Sequence, residues 1–183
     1  MRYADGPRVE CDVHVGAPPQ RVWELVTDIQ LPARLSPELQ RAEWTDAATT
    51  APALGETFVG HNRHPLLGEW RTMSRVVELR EQRVFGWAVV DPDGVFGGGA
   101  PDFDRPLATW RFTLSPEAGG TRLHQSARLG PARSGVSLAI DRMPDREEQI
   151  VSSRLEELRA NIEASLRGIK ALAETAEGQS VSL

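Results

Sequence analysis

One cysteine, Cys11, is the entire thiol inventory of this chain. An internal disulfide is therefore impossible, and neither a Cys-x-x-Cys redox pair nor a cysteine zinc set can be built, so Cys11 reads as a core residue. No apolar run approaches the roughly 20 residues that a membrane span needs. The N-terminal stretch MRYADGPRVE also lacks the apolar centre of a signal peptide. These absences predict a cytoplasmic protein with no membrane insertion. Positive charge is not in excess either: the formal charge is −5 with the signs interspersed, which argues against a nucleic-acid groove or a polybasic membrane patch. Sharp catalytic motifs are missing as well. There is no Gly-x-Ser-x-Gly elbow, no Gly-rich phosphate loop ending in Lys-Ser/Thr, and no His-Glu-x-x-His. Gly97, Gly98 and Gly99 lack a following lysine and helix, and Asp91, Asp93, Asp102 and Asp104 around them do not have EF-hand spacing, so a solvated loop is expected there. No cofactor and no metal is predicted, and no internal repeat is present.

What is there begins near the C-terminus. Val151, Leu155, Leu158, Ile162, Leu166, Ile169 and Leu172 recur at spacings of three and four, one apolar stripe on a helix predicted from Asp145 to about Ala173. Asp145 is placed to cap it and Glu148 to close a capping box. The helix would be about 40 Å long at 1.5 Å per residue, and with one apolar side it needs a broad surface to lie on.

Upstream segments read as that surface. Arg8 to Val15 alternates, with Val9, Cys11, Val13 and Val15 on one face. Gly16-Ala17-Pro18-Pro19 stops the strand and starts a helix over Gln20 to Asp28, and a second, very short helix is expected around Leu31 to Leu35. Further strands are predicted at Gln40–Asp46, Glu56–His64, Gly68–Arg80, Arg83–Val90, Leu107–Ser115 and Thr121–Leu129. That makes seven short-linked strands, hence a mostly antiparallel sheet. Two longer connections, 91–106 and 130–144, are read as loops and candidate lids. The 183 residues divide into an arm at 1–7, one domain at 8–174, and a flexible tail at 175–183.

This order of elements, with its motifs, resembles the helix-grip fold of the START and Bet v 1-like (SRPBCC) superfamily. Ala17 through Asp28 is similar to the first helix of its polyketide cyclase/dehydrase and lipid-transport branch. Gly60-His61-Asn62-Arg63 with Trp70 through Val76 is similar to the third and fourth strands. Trp110-Arg111-Phe112-Thr113-Leu114 with Gly119 through Leu123 is similar to the hairpin before the last helix, and the similarity runs from Arg8 to Glu174. The resemblance implies an α+β architecture: a curved antiparallel sheet wrapped around the long helix, with a cavity between them for an apolar ligand. It implies no particular reaction, because such scaffolds host many functions.

Strand alternation then names the expected cavity wall. If Trp110, Phe112 and Leu114 face inward, so do Leu123, Gln125, Phe85, Trp87, Trp70, Thr72, Ser74, Phe58 and Asn62. Leu35 and Leu158 join the apolar lining. Four polar side chains, Asn62, Thr72, Ser74 and Gln125, would sit in an aromatic wall. They either orient a ligand or merely satisfy one another and trapped water. Arg154, Asn161 and Ser165 form a polar line on one flank of the helix stripe. Arg154 either meets a ligand oxygen there or pairs with an acidic neighbour. His61 and His64 point to opposite faces and are no chelating pair. His64, sharing the parity of Phe58 and Asn62, and Arg154 are the weak catalytic candidates. Three functions remain open. The first is binding of a hydrophobic polyketide-like, aromatic or lipid molecule, the second a polyketide cyclase, aromatase or dehydratase, and the third a co-chaperone-like interaction through an arginine-rich outer face. Monomer and homodimer both remain possible.

Overall fold

The computed structural model describes residues 1–66 and 68–175. A short 3-10 turn at Tyr3–Asp5 precedes β1 (Arg8–Val15), α1 (Pro19–Val26) and α2 (Leu31–Leu35). Six further strands follow: β2 (Leu39–Trp44), β3 (Thr57–His64), β4 (Gly68–Arg80), β5 (Val84–Val90), β6 (Ala108–Glu117) and β7 (Gly120–Leu129). The chain then forms α3 (Gly135–Arg142) and α4 (Glu147–Thr175). All seven strands make one antiparallel sheet in the order β1-β7-β6-β5-β4-β3-β2. The sheet curves around α4, as the helix-grip resemblance implies.

Inward and outward faces follow the predicted alternation. Register across the sheet puts Gln125 opposite Phe112, Trp110 opposite Trp87, Phe58 opposite Ser74, and Asn62 opposite Trp70. A bulge between Val76 and Glu78 shifts the parity of β4, so that Glu78 faces Gly86 on the convex side while Leu79 returns to the concave side opposite Phe85. On the convex side Arg111 grips Glu78 with two hydrogen bonds of 2.7 and 3.2 Å across Gly86. Gly86 is small for a reason: a Cβ there would lie 3.3 Å from Glu78 Cβ.

The core lies between α4 and the β1, β7 side of the sheet. Val151, Leu158, Ile162, Leu166, Ile169 and Ala173 are at most 3% exposed. Each fully buried aliphatic side chain stabilises by roughly 1.5–3 kcal/mol relative to exposure, so this stripe outweighs any surface ion pair of the helix. The predicted stripe ends differently, because Leu172 is 39% exposed and Ala173 is buried in its place. After Ile169 the next position on the same side lies four residues on, and Leu172 falls about 100° off it.

Two further expectations are corrected. The 130–144 connection is not a loop throughout, since α3 occupies its centre; Ser134 N-caps the helix, and its backbone N–H donates to Ser137 Oγ at 3.1 Å. The capping box at Asp145 and Glu148 is absent. Asp145 lies inside a 3-10 turn, Pro144–Arg146, and the Glu148 carboxylate accepts instead from the N-terminal amine of Met1 at 2.8 Å.

The N-terminal residues strap the helices down. Tyr3 N–H donates to Glu147 Oε1 at 2.9 Å, and its hydroxyl donates to the Ala132 carbonyl at 2.7 Å while lying 2.9 Å from Ser134 Oγ. At the other end of α4, Lys170 Nζ donates to the His14 carbonyl at 2.8 Å, and Glu174 accepts from Gly16 N–H at 2.7 Å. Of the tail expected at 175–183, residues 176–183 lie outside the described residues.

Candidate ligand site

The concave face carries a row of aromatic rings, each placed by one strand. Trp44 on β2 meets Phe58 on β3 edge-on at 5.5 Å between centroids, and Phe58 meets Trp87 on β5 at 6.4 Å. Trp87 is the hub: it lies 5.1 Å from Phe85, 5.9 Å from Phe112 and 6.3 Å from Trp110. The planes of Trp87 and Trp110 are 8° from parallel. Phe85, Phe112, Phe58 and Leu123 are buried, whereas Trp87, Trp110 and Trp70 remain half-buried. These three rings keep part of their apolar surface accessible.

The four predicted polar members divide into two sorts. Asn62 and Thr72 satisfy one another: Asn62 Nδ2 donates to Thr72 Oγ1 at 3.2 Å and to the Gly60 carbonyl at 3.3 Å. Gly60 makes room for this pair, since a Cβ there would lie 2.9 Å from Thr72 Oγ1. Ser74 is buried. Gln125 is different. It is only 6% exposed, and its side-chain oxygen is fully buried with no hydrogen-bond partner among the described residues. An orphaned buried acceptor costs about 1–3 kcal/mol.

Helix α4 contributes less than its polar line suggests. Arg154 does not reach inward unengaged; its Nη1 and Nη2 donate to the two oxygens of Glu38 at 2.7 and 3.1 Å, and Nη1 also meets Glu157 at 2.6 Å. His64 completes the group, its Nε2 lying 3.3 Å from Glu157 Oε1. Burial works against the Arg154 charge, but Glu38 and Glu157 outweigh it and raise its pKa. Burial likewise pushes the Glu157 carboxyl up, but Arg154 and then His64 hold it below its ordinary value. Glu38, His64 and Glu157 offer ligand atoms within 4.8 Å of one another. The Arg154 guanidinium already bonds both carboxylates, so a cation would have to displace it. Asn161 and Ser165 are half-buried beside this stripe, and Leu158 is buried in it.

Leu35 sits against α4. A Cβ on Gly168 would come within 2.5 Å of Leu35 Cδ2, so the glycine sets the close approach of α2 to the helix. His61 lies on the outer face beside Arg41 and Glu43. Open volume of about 440 Å³ lies at the end of the β3–β4 hairpin, lined by Asn62 and Trp70 together with Arg41, His61, Arg63, Arg71 and Asp93. Two contributors escaped the sequence reading. Phe96, in the 91–106 connection, is buried against Trp70 at 6.3 Å, and its signal was a lone aromatic in a Gly-rich stretch. Glu38 had no local signal at all, because its partner is 116 residues away.

The family described as polyketide cyclase/dehydrase and lipid transport matches residues 7–174. No functionally curated protein matches the chain. Among solved structures, a polyketide-cyclase-like protein of Corynebacterium glutamicum is 24% identical with a TM-score of 0.63, and 96% of each chain is covered. The Zhui aromatase/cyclase of a Streptomyces species is 18% identical with a TM-score of 0.60, covering 92% of this chain and 93% of that one. The di-domain aromatase/cyclase StfQ of the steffimycin biosynthetic pathway is 16% identical with a TM-score of 0.67, and the match covers 93% of this chain but 51% of StfQ.

Proposed function

The chain belongs to the polyketide cyclase/dehydrase and lipid-transport family, and from that premise we propose that it binds a hydrophobic polyketide-like, aromatic or lipid molecule between the sheet and α4. The observation that carries this reading is the half-buried tryptophan pair, Trp87 and Trp110, at the centre of the concave aromatic row. Apolar walls supply burial, and a few polar atoms fix orientation. Native mass spectrometry of protein purified from its own host tests the proposal directly. A co-purifying apolar mass that quenches tryptophan fluorescence on rebinding is the expected result. Protein that carries nothing and shows no quenching by any aromatic or acyl probe overturns it.

A second reading is favoured by the aromatase/cyclase neighbours: an enzyme that folds a reactive polyketide chain within the same space. Orientation and exclusion of water would supply much of such catalysis. His64 and Arg154 are the candidate side chains with proton-transfer or charge-stabilising chemistry, and both are engaged with Glu157. Recovery of an unchanged ligand after incubation would leave binding and remove catalysis. The interaction-module reading rests on the arginines of the convex face: Arg71 pairs with Asp93, Arg111 with Glu78, and Arg122 with Asp12 and Glu117, Arg75 lies over the Phe103 ring at 4.0 Å, and Arg128 is exposed.

Among the described residues, no helix is long and apolar enough to cross a membrane.

A further inference from the structure

The connection between β5 and β6 covers a gap in the sheet. Strand β5 stops at Val90 opposite Met73, and β6 starts at Ala108 opposite Val89, so β4 from Gly68 to Thr72 has no strand beside it on that flank. The connection lies there instead, with Asp93 on Arg71 and Phe96 on Trp70. Of residues 93–102 only Phe96 is buried, at 4% exposure, with its ring edge-on to Trp70. Gly94 and Gly97 bracket it at φ of 68° and 72°, a left-handed conformation that glycine enters without strain. A Cβ on Gly94, Gly98 or Gly99 would meet nothing within 4 Å. Apolar packing therefore holds this segment at one ring.

Its other fastenings are polar. Phe96 N–H donates to Asp91 Oδ2 at 2.8 Å, and Arg133 Nε donates to the Phe96 carbonyl at 3.0 Å. Arg71 Nε and Nη2 donate to the Asp93 carboxylate at 3.0 and 2.5 Å, between side chains that are both partly exposed. Ion pairs near water rearrange readily, so the segment can leave the sheet without unpacking α4. Trp70 and Asn62 share the concave face, and both also line the open volume of about 440 Å³ together with Asp93 and Val95 of this same segment. The segment thus borders the aromatic row and the open space at once.

We propose that residues 94–99 form a hinged flap whose Phe96 ring closes the Trp70 end of the concave face, and that a ligand passes when this ring swings out. The inference rests on the small-molecule binding proposed above and adds to it a route and a gate.

The test uses the full chain and N-phenyl-1-naphthylamine, a neutral apolar probe that brightens on leaving water, followed by stopped-flow fluorescence. A gate controls entry and exit alike, whereas a wall side chain acts on dissociation. In Phe96→Ala both rates should quicken about tenfold or more, the scale of one buried phenyl side chain, with Kd kept within about twofold. Arg133→Met keeps the ring but removes the bond to its carbonyl, and should quicken both rates about threefold. Amide hydrogen exchange should rise over 94–99 in both variants and stay at the natural rate in α4. Faster dissociation alone, with Kd raised in step, makes Phe96 a wall and overturns the flap while binding stands. Rates unchanged in both variants do the same. Should Phe96→Ala fail to fold, the two rates in Arg133→Met decide. Absence of probe binding by the natural protein sinks both proposals.

Discussion

Along β1 and β7, α4 buries six side chains to 3% exposure or less, and its side chains Glu147 and Lys170 hydrogen-bond the main chain at Tyr3 and His14 at its two ends. Over β3 to β6 the facing side chains Asn62, Trp70, Trp87 and Trp110 stay half-buried among the buried Phe58, Phe85 and Phe112. On that side α4 reaches the end of β3 and the start of β2 through ions, Arg154 with Glu38 and Glu157 with His64. One side of the helix is thus sealed by apolar packing and the other by exchangeable charge. Apolar packing is cooperative and resists opening, whereas ion pairs near water are worth little and rearrange readily. The fold is anchored on the first side, and the second is where the proposed ligand would enter.

The sharpest way to break this contrast is Leu158→Asp, which puts an unpaired charge under the sealed side and should abolish cooperative thermal unfolding. A soluble, cooperatively melting variant would refute the division. Phe112→Ala, at a buried position flanking Trp87, should cost about 3–5 kcal/mol by denaturant titration. Trp110→Ala, on the half-buried side, should cost clearly less stability than that while removing most ligand quenching. If the two truncations cost the same, the tryptophan is core and not wall. Arg154→Met should cost on the order of 1–2 kcal/mol near neutral pH, because it leaves Glu38 and Glu157 without their shared cation.

That last effect has a pH signature. The Glu157 carboxyl is held below its ordinary value of 4.5, so its contribution is complete above that pH and is lost as pH falls through the lower folded value. The gap between the natural protein and Arg154→Met should therefore close on acidification below 4.5, read from melting temperatures across pH. The smallest effect is expected on the convex face: Arg122→Ala should leave the melting temperature nearly unchanged, since its partners Asp12 and Glu117 are solvated.

How legible all this was depends on the range of the interaction. Period-two alternation in Trp110 to Leu114 and Leu123 to Ala127 is a local pattern, and it placed the strands and their inward faces. The α4 stripe was equally readable up to Ile169. Helix α3 was missed because Gly130, Pro131 and Gly135 suggested a loop, and Ser137 at the third helical position is a weaker capping partner than Glu or Gln. The site was legible as a set of faces but not as a set of partners. Asn62 and Gln125 look alike in the sequence, yet Thr72 satisfies the first and nothing among the described residues satisfies the second. Arg154 could be assigned an acidic neighbour from its helix spacing to Glu157, but Glu38 becomes adjacent only when the sheet closes on the helix.

Tyr3 gives the sealed side an optical reporter. It is the sole tyrosine of the chain, so any tyrosinate absorbance arises from one ring at the N-terminal strap. Burial raises its pKa above the ordinary 10.0, which makes the docked ring silent in alkali where a released one would already absorb. A single chromophore thus reports, in real time and without a label, whether the first residues of the chain are fastened to the start of its last helix.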